Sequence, residues 1–359
     1  MFENLRTNKP WESGISPFIL VPLSFLYEGL YILRLFLYII GLRRQEKVDG
    51  IKIISIGNLT VGGTGKTPFT IWLARRLEKL NISCAIVSRG YGRRSTSPVQ
   101  VVSDGKTLLD DYPEAADEAL LCAQTLKSAP VICSPKRTSG IKHARDAFKT
   151  DAVILDDAFS HISAGRDLNI LLIDAVNPFG NGKLLPAGPM REPAASIRRA
   201  DAVVITRANM VDKFAIRKIE NFIRPFIPEE SIHLADFKPG DIVSGSDEMV
   251  NAEEFLAGKT VYLLSGIASP GQFEETVKGL KAEIKDHFAF SDHYKFTKED
   301  MEFVLENSGK NIIITTEKDF VRIPAEYRSK FFRLTIELSL RRENAFLPLV
   351  EKLFQTSKL

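Results

Sequence analysis

With 359 residues the chain is long enough for two ordinary domains with a sizeable core. Its 44% hydrophobic and 26% charged residues mark a globular protein, and a formal net charge of +3 without a dense Lys/Arg stripe argues against nucleic-acid binding. Three cysteines with no CxxC pair (Cys84, Cys122, Cys133) and five scattered histidines argue against a disulfide frame, a zinc site or a His-rich metal site.

The first element is the compositional outlier. Ser16 to Leu42 is almost wholly apolar and is followed by Arg43 and Arg44. A cleaved signal peptide fits poorly, because no basic n-region and no small-x-small cleavage site are present. Pro22, Glu28 and Arg34 interrupt the ~20 apolar residues that a transmembrane helix requires. On a helix, Tyr27, Tyr31, Arg34 and Tyr38 share one face, with Leu, Ile and Phe elsewhere. That pattern suits a helix lying in a lipid interface. Packing on the protein's own core or on a partner subunit, and a true span, are the alternatives.

Next, Gly50–Gly57 reads as a short strand of branched residues, followed by a glycine-rich turn and a helix from Pro68 to Leu80. Cys84–Ser88 is a strand running into Arg89-Gly-Tyr-Gly-Arg-Arg94. A helix is predicted over Ala115–Leu126, then strands near Val131 and at Ala152–Asp157, Leu168–Asp174 and Asp201–Thr206. Apolar strands alternating with helices indicate an α/β protein with a doubly wound, mostly parallel sheet, whose ligands bind at the carboxyl ends of the strands. Prolines 225, 228 and 239 with Gly240 and Gly245 predict a break near 225–250. Beyond it Thr260–Ser265, Gln272–Leu280 and Asn311–Thr316 repeat the rhythm. The expected layout is an N-terminal helix region (1–45), a P-loop NTPase-like α/β/α domain (46–228) and a smaller α/β domain closing a cleft (229–359).

The turn Gly57-Asn-Leu-Thr-Val-Gly-Gly-Thr-Gly-Lys-Thr67 carries the first chemistry. A phosphate loop needs converging backbone N–H groups at a helix N-terminus, a lysine for the terminal phosphates and a hydroxyl for magnesium. Gly62, Gly63, Thr64 and Gly65 supply the backbone, Lys66 the cation and Thr67 the hydroxyl. Thr60 stands where the usual first glycine would be, a position at which only backbone conformation matters. A structural glycine turn is the bland alternative. Ala152–Asp157, a buried strand ending in two carboxylates, fits the acidic half of a magnesium–nucleotide site; a helix cap is its alternative. Asp174 reads as a cap or supporting group. A carboxylate bonded to a histidine can tune it as a base, but spacing alone does not pair Asp117 with His293. Arg89, Arg93, Arg137, Arg191 and Arg207 fall in loops, where they suit either phosphate recognition or solvent.

Seven motifs in order carry a resemblance: the loop itself, Ser88-Arg-Gly-Tyr-Gly-Arg93, Ala116-Asp-Glu118, Asp156-Asp-Ala-Phe-Ser-His161, Leu184-Leu-Pro-Ala-Gly-Pro-Met-Arg-Glu-Pro193, Phe290-Ser-Asp-His-Tyr294 and Thr316-Glu-Lys-Asp319. Together they resemble the tetraacyldisaccharide 4′-kinases of lipid A biosynthesis over roughly 50–320, plus the N-terminal helix. The resemblance implies transfer of the γ-phosphate of ATP, with Mg2+, to the 4′-hydroxyl of an acylated glucosamine disaccharide 1-phosphate, giving lipid IVA. It also implies work at the cytoplasmic face of the inner membrane of a Gram-negative type bacterium. By motif match, Lys66 and Thr67 are the phosphate-loop pair, Asp156 and Asp157 the magnesium motif, and Asp117 with His293 a dyad that activates the sugar hydroxyl. Arg137 is matched to a nucleotide-side arginine, and Asn58, Arg89, Arg191 and Glu192 to the substrate side. The chain departs from the family at Ala158 and Ser160, where Gly and Gln are usual, and at Ala116, where Gly is usual. The rival reading is a membrane-associated partitioning or metal-insertion P-loop ATPase, disfavoured because Val61 stands where its second signature lysine belongs.

Overall fold

The computed structural model describes Trp11 and residues 17–355. The apolar N-terminal segment forms one helix, α1 (Pro17–Ile39). The run Ile51–Ile56 then enters a sheet as β1 (Lys52–Asn58), buried at every position but its first, as a strand covered by helices on both faces must be. The chain continues through α2 (Lys66–Lys79), β2 (Cys84–Ser88), β3 (Gln100–Ser103), α3 (Asp117–Thr125), β4 (Val131–Cys133), α4 (Arg137–His143), β5 (Ala152–Leu155), β6 (Leu168–Asp174), β7 (Ala202–Thr206) and α5 (Lys213–Ile223). The second half comprises β8 (Ile232–Val243), β9 (Met249–Asn251), α6 (Ala252–Leu256), β10 (Thr260–Ser265), α7 (Pro270–Gly279), β11 (Glu283–Ala289), α8 (Lys298–Ser308), β12 (Ile312–Thr316), α9 (Glu317–Phe320), β13 (Phe332–Leu340) and α10 (Glu343–Gln355).

Among the described residues the strands form one sheet, ordered β11-β10-β12-β13-β8-β7-β6-β1-β5-β2-β4-β3, with β9 beside β8. Pairing is parallel except at β3–β4, β8–β13 and β8–β9. The expected break near 225–250 contains the strand at which the two halves join. β8 runs parallel to β7 from Ile232 to Leu234, then antiparallel to β13 from Ala235 to Val243. Pro239 is tolerated at a register irregularity of that ladder, where Ile336 faces it.

One packing and one ion pair tie the halves together. α2 buries Phe69, Trp72, Leu73 and Leu77, and Phe346 of α10 returns from the far end of the chain to meet it. Its ring lies 5.9 Å from Phe69 and 5.8 Å from Trp72. Outside this contact Arg76 pairs with Glu343 at 2.6 Å.

The tyrosine–arginine stripe of α1 docks on the body. The Tyr27 hydroxyl donates to the Arg191 carbonyl (2.7 Å), Tyr31 to Glu192 (2.8 Å), and Arg34 to the Ser160 carbonyl (3.1 Å). The opposite face exposes Phe18, Phe25, Leu26, Leu30, Leu33 and Phe36. Among the described residues this is the one helix long and apolar enough to cross a membrane.

Candidate active site

The loop between β1 and α2 lies at the carboxyl end of β1, between β5 and β6. Gly62 and Gly65 hold φ of +113° and +81°, the left-handed region that favours glycine. Gly65 also has no room for a side chain, since a Cβ would stand 2.3 Å from the Phe237 ring. Gly65 precedes Lys66 with no side-chain cap on the first turn of α2, so that turn's N–H groups remain available to an anion. The loop is held from behind: Thr206 Oγ1 donates to the Thr64 carbonyl (2.9 Å) and Arg207 to the Gly63 carbonyl (3.1 Å). Arg207 is itself fixed by Asp174, Nε donating to Oδ1 at 2.8 Å. Asp174 therefore supports the loop through an arginine.

Lys66, nearly buried, donates to Asn58 Oδ1 (3.4 Å) and lies 3.8 Å from Asp157 Oδ1. Asp157 has φ +49°, which turns its carboxylate toward Lys66 and Arg191. Arg191 Nη1 donates to both of its oxygens at 3.0 and 3.1 Å. Burial alone would raise the Asp157 carboxyl, but Lys66 and Arg191 hold it below its usual range. Asp156 goes the other way. Burial first, then the Glu118 carboxylate, push it up to about 7 against the pull of Lys66, while Thr70 donates to Oδ1 at 3.3 Å. A carboxylate so placed needs a further cation to ionise fully at neutral pH. Thr67 is buried at the start of α2. Among the described residues no group of three or more His, Cys, Asp or Glu forms a protein-only metal cage. Magnesium commonly takes one or two carboxylates and completes its octahedron with phosphate and water. The donor set Thr67, Asp156 and Asp157 fits that habit.

Arg137 is buried at the start of α4, Nη1 donating to the Ser134 carbonyl at 3.0 Å. Burial lowers its guanidinium to about 10, with Asp157 and Asp156 opposing. Arg89 is exposed just past β2. Glu192, matched to the substrate side, is buried beneath α1, where it accepts from Tyr31 and is ion-paired with Arg199. In the departing segment Ala158–His161, the Ser160 hydroxyl is buried without a hydrogen-bond partner. Burial and then the nearby arginines, Arg137 foremost, lower His161 to about 4.

The geometry joins two residues that spacing left apart. Asp117 opens α3 in the first half, and His293 sits on the turn after β11 in the second with φ +58°. His293 Nδ1 lies 2.9 Å from Asp117 Oδ2. Burial would raise Asp117, but the His293 hydrogen bond, Lys318 and Arg322 bring it down to about 2. Two arginines escaped sequence reasoning. Arg322, buried, lies 3.7 Å from Asp117 and 2.5 Å from Asp319. Arg166 gathers the carbonyls of Ala158, Phe159 and His161 and the Ser55 hydroxyl. Neither lies in a recognisable motif; only the assembled fold shows what they hold.

A doubly wound sheet, a glycine-rich loop opening a helix, and a lysine facing paired aspartates define a P-loop protein of the phosphotransferase kind. Residues 16–355 match the family described as LpxK, Tetraacyldisaccharide-1-P 4'-kinase. The chain belongs to that family. It is 40% identical over 315 residues to the tetraacyldisaccharide 4'-kinase of Anaeromyxobacter sp. (strain Fw109-5), covering 85% of this chain and 83% of that one. It is 34% identical over 365 residues to the Syntrophus aciditrophicus enzyme of the same name, covering 96% and 97%. The fold is similar to a crystal structure of Aquifex aeolicus LpxK in complex with ATP, with a TM-score of 0.77, 33% identity and coverage of 93% and 98%.

Proposed function

We propose that this chain transfers the γ-phosphate of ATP to the 4′-hydroxyl of tetraacyldisaccharide 1-phosphate, with magnesium, while resting on a lipid surface. The observation that carries the reading is the Asp117–His293 pair. Residues from the two halves of the sheet meet at 2.9 Å, and Glu118, next in sequence to Asp117, acts electrostatically on Asp156 of the paired aspartates. An acceptor hydroxyl held by the dyad would thus lie beside the nucleotide phosphates.

In this reading the free N–H groups of α2 and the Lys66 ammonium bind the β- and γ-phosphates, exchanging the Lys66–Asp157 contact for a stronger one with phosphate. Thr67 and the Asp156–Asp157 pair would hold magnesium, which would supply charge neutralisation at the phosphates. Arg137 adds positive potential felt by Asp157 and Asp156. His293, oriented by Asp117, receives the proton that leaves the sugar hydroxyl. Residues 46–228 and 229–359 act as two lobes sharing β8, and their approach excludes water that would otherwise hydrolyse ATP.

The membrane reading rests on α1. Its polar stripe is spent on the protein body and its apolar face is left to solvent, an arrangement stable against acyl chains. A cavity of about 610 Å3 lies between Val21, Phe25 and Glu28 of α1 and the loop carrying Phe179, Leu184 and Met190. It opens where a lipid substrate would arrive. A cytoplasmic-face location follows from the need for ATP. Incubation of the purified protein with γ-labelled ATP, magnesium and disaccharide 1-phosphate in detergent is expected to yield a bisphosphorylated lipid labelled at the 4′ position. No such product, where a known 4′-kinase works, overturns the proposal.

A further inference from the structure

The turn after β3 and the bend after α3 bring two lysines to the wall of a cavity that shares no residue with the candidate active site. The turn is fixed locally. Gly105 has φ +89°, Ser103 Oγ accepts from its N–H (3.1 Å), and Asp104 Oδ1 accepts from the N–H groups of Lys106 (2.8 Å) and Thr107 (2.7 Å). A Cβ on Gly105 would stand 3.1 Å from the Ser128 carbonyl, so this turn lies directly against the bend that carries Lys127. The cavity holds about 290 Å3, and its remaining wall comes from the second half of the chain: Phe320 of α9, Arg333 of β13, Arg328, Gly245 and Asp247.

Its charges are uneven: four cations line it against one carboxylate, Asp247. Arg328 is already engaged, donating to both oxygens of Asp111 in the first half (3.0 and 2.9 Å). Arg333 stacks 4.4 Å from the centroid of the Phe320 ring and pairs with Asp247 at 2.5 Å. That Asp247 side chain is 77% exposed, so the pair is a weak tie that a better anion displaces. Lys106 and Lys127 are exposed, and among the described residues their ammonium groups have neither a hydrogen bond nor an ion pair.

We propose that this cavity is a second anion site, which takes the phosphate group of a small, water-soluble phosphate monoester on Lys106, Lys127 and Arg333. Cations gathered without matching counter-charge repel one another, and a dianion relieves that repulsion. The two ammonium groups act on phosphate as point charges, while the planar Arg333 fork gains parallel bonds in place of one exposed carboxylate. The volume falls just under the about 300 Å3 at which small-molecule pockets begin, so the ligand is little larger than its phosphate. Because the wall is drawn from both halves and includes the Arg328–Asp111 bridge, an occupant stabilises their union. The inference does not draw on the kinase reading.

The test is calorimetry with glycerol 3-phosphate on full-length protein whose phosphate loop is filled by a non-hydrolysable ATP analogue and magnesium. One site per chain is expected, and glycerol itself gives no heat. Lys106→Gln with Lys127→Gln is expected to weaken binding about tenfold or more and to abolish the rise in melting temperature that the ligand gives wild type. Both side chains are exposed and unpaired, so this variant is expected to melt like wild type without ligand. Lys79→Gln with Lys149→Gln, exposed lysines elsewhere, retains full affinity. Absence of binding overturns the inference, as does binding that the Lys106/Lys127 variant leaves unchanged. Binding that both variants weaken alike also overturns it and marks an adventitious ion only. Failure of the ATP analogue to bind would instead sink the kinase reading and leave the comparison of variants intact.

Discussion

Asp156 and Asp157 are neighbours in sequence with opposite environments. Asp157 bonds to Arg191 and faces Lys66, while Asp156 is closed in and feels Glu118. The raised Asp156 carboxyl, at about 7 against an ordinary 3.8, has a sign that can be worked out. Where the folded pKa exceeds the unfolded one, the protonated group stabilises the fold at low pH, and that contribution is lost as pH rises from about 4 to about 7. Asp156→Asn removes the titration. Without magnesium, its melting temperature is expected to exceed that of wild type by a few degrees at pH 8. The gain should shrink steadily toward pH 4, while phosphoryl transfer collapses. Thermal melts across pH decide this: a destabilised variant at pH 8 would show that the carboxylate is not held at a cost to the fold.

At the scale of elements, α1 separates what a helix pattern reveals from what it hides. The stripe Tyr27–Tyr31–Arg34 was legible from 3.6-residue periodicity, but its facing was not, because the partners Glu192, Ser196 and Arg191 lie some 160 residues away. The phosphate loop was legible because its function is local: glycines, lysine and threonine act through one turn and one helix end. The dyad was legible only through motif resemblance, since nothing short-range pairs Asp117 with His293. Arg322 and Arg166 went unassigned because a cation outside any motif has no sequence signature apart from its partners. The two faces of α1 yield separable effects. Tyr31→Phe leaves buried Glu192 short of a donor and is expected to cost about 1–3 kcal/mol, read as a lower melting temperature. Phe25→Ser with Leu26→Ser, on the exposed face, is expected to leave melting unchanged and reduce flotation with phospholipid vesicles. Equal flotation would remove that face from the membrane account.

At the scale of the molecule, one sheet carries both halves of the site. The alternation of strands and helices foretold a parallel α/β fold, and punctuation by proline and glycine marked the stretch in which β8 runs from one half to the other. The long antiparallel ladder of β8 with β13 there is an interaction invisible to any short window. β8 and the return of α10 onto α2 join the two halves, which is what allows a residue of each to complete one dyad. The central claim is that this dyad serves the phosphate loop in a single phosphoryl transfer. Steady-state 4′-phosphorylation by Asp117→Asn at varied ATP tests it most directly. The account predicts a kcat lowered by about 10²-fold or more with KM for ATP close to wild type; an unchanged kcat would contradict it.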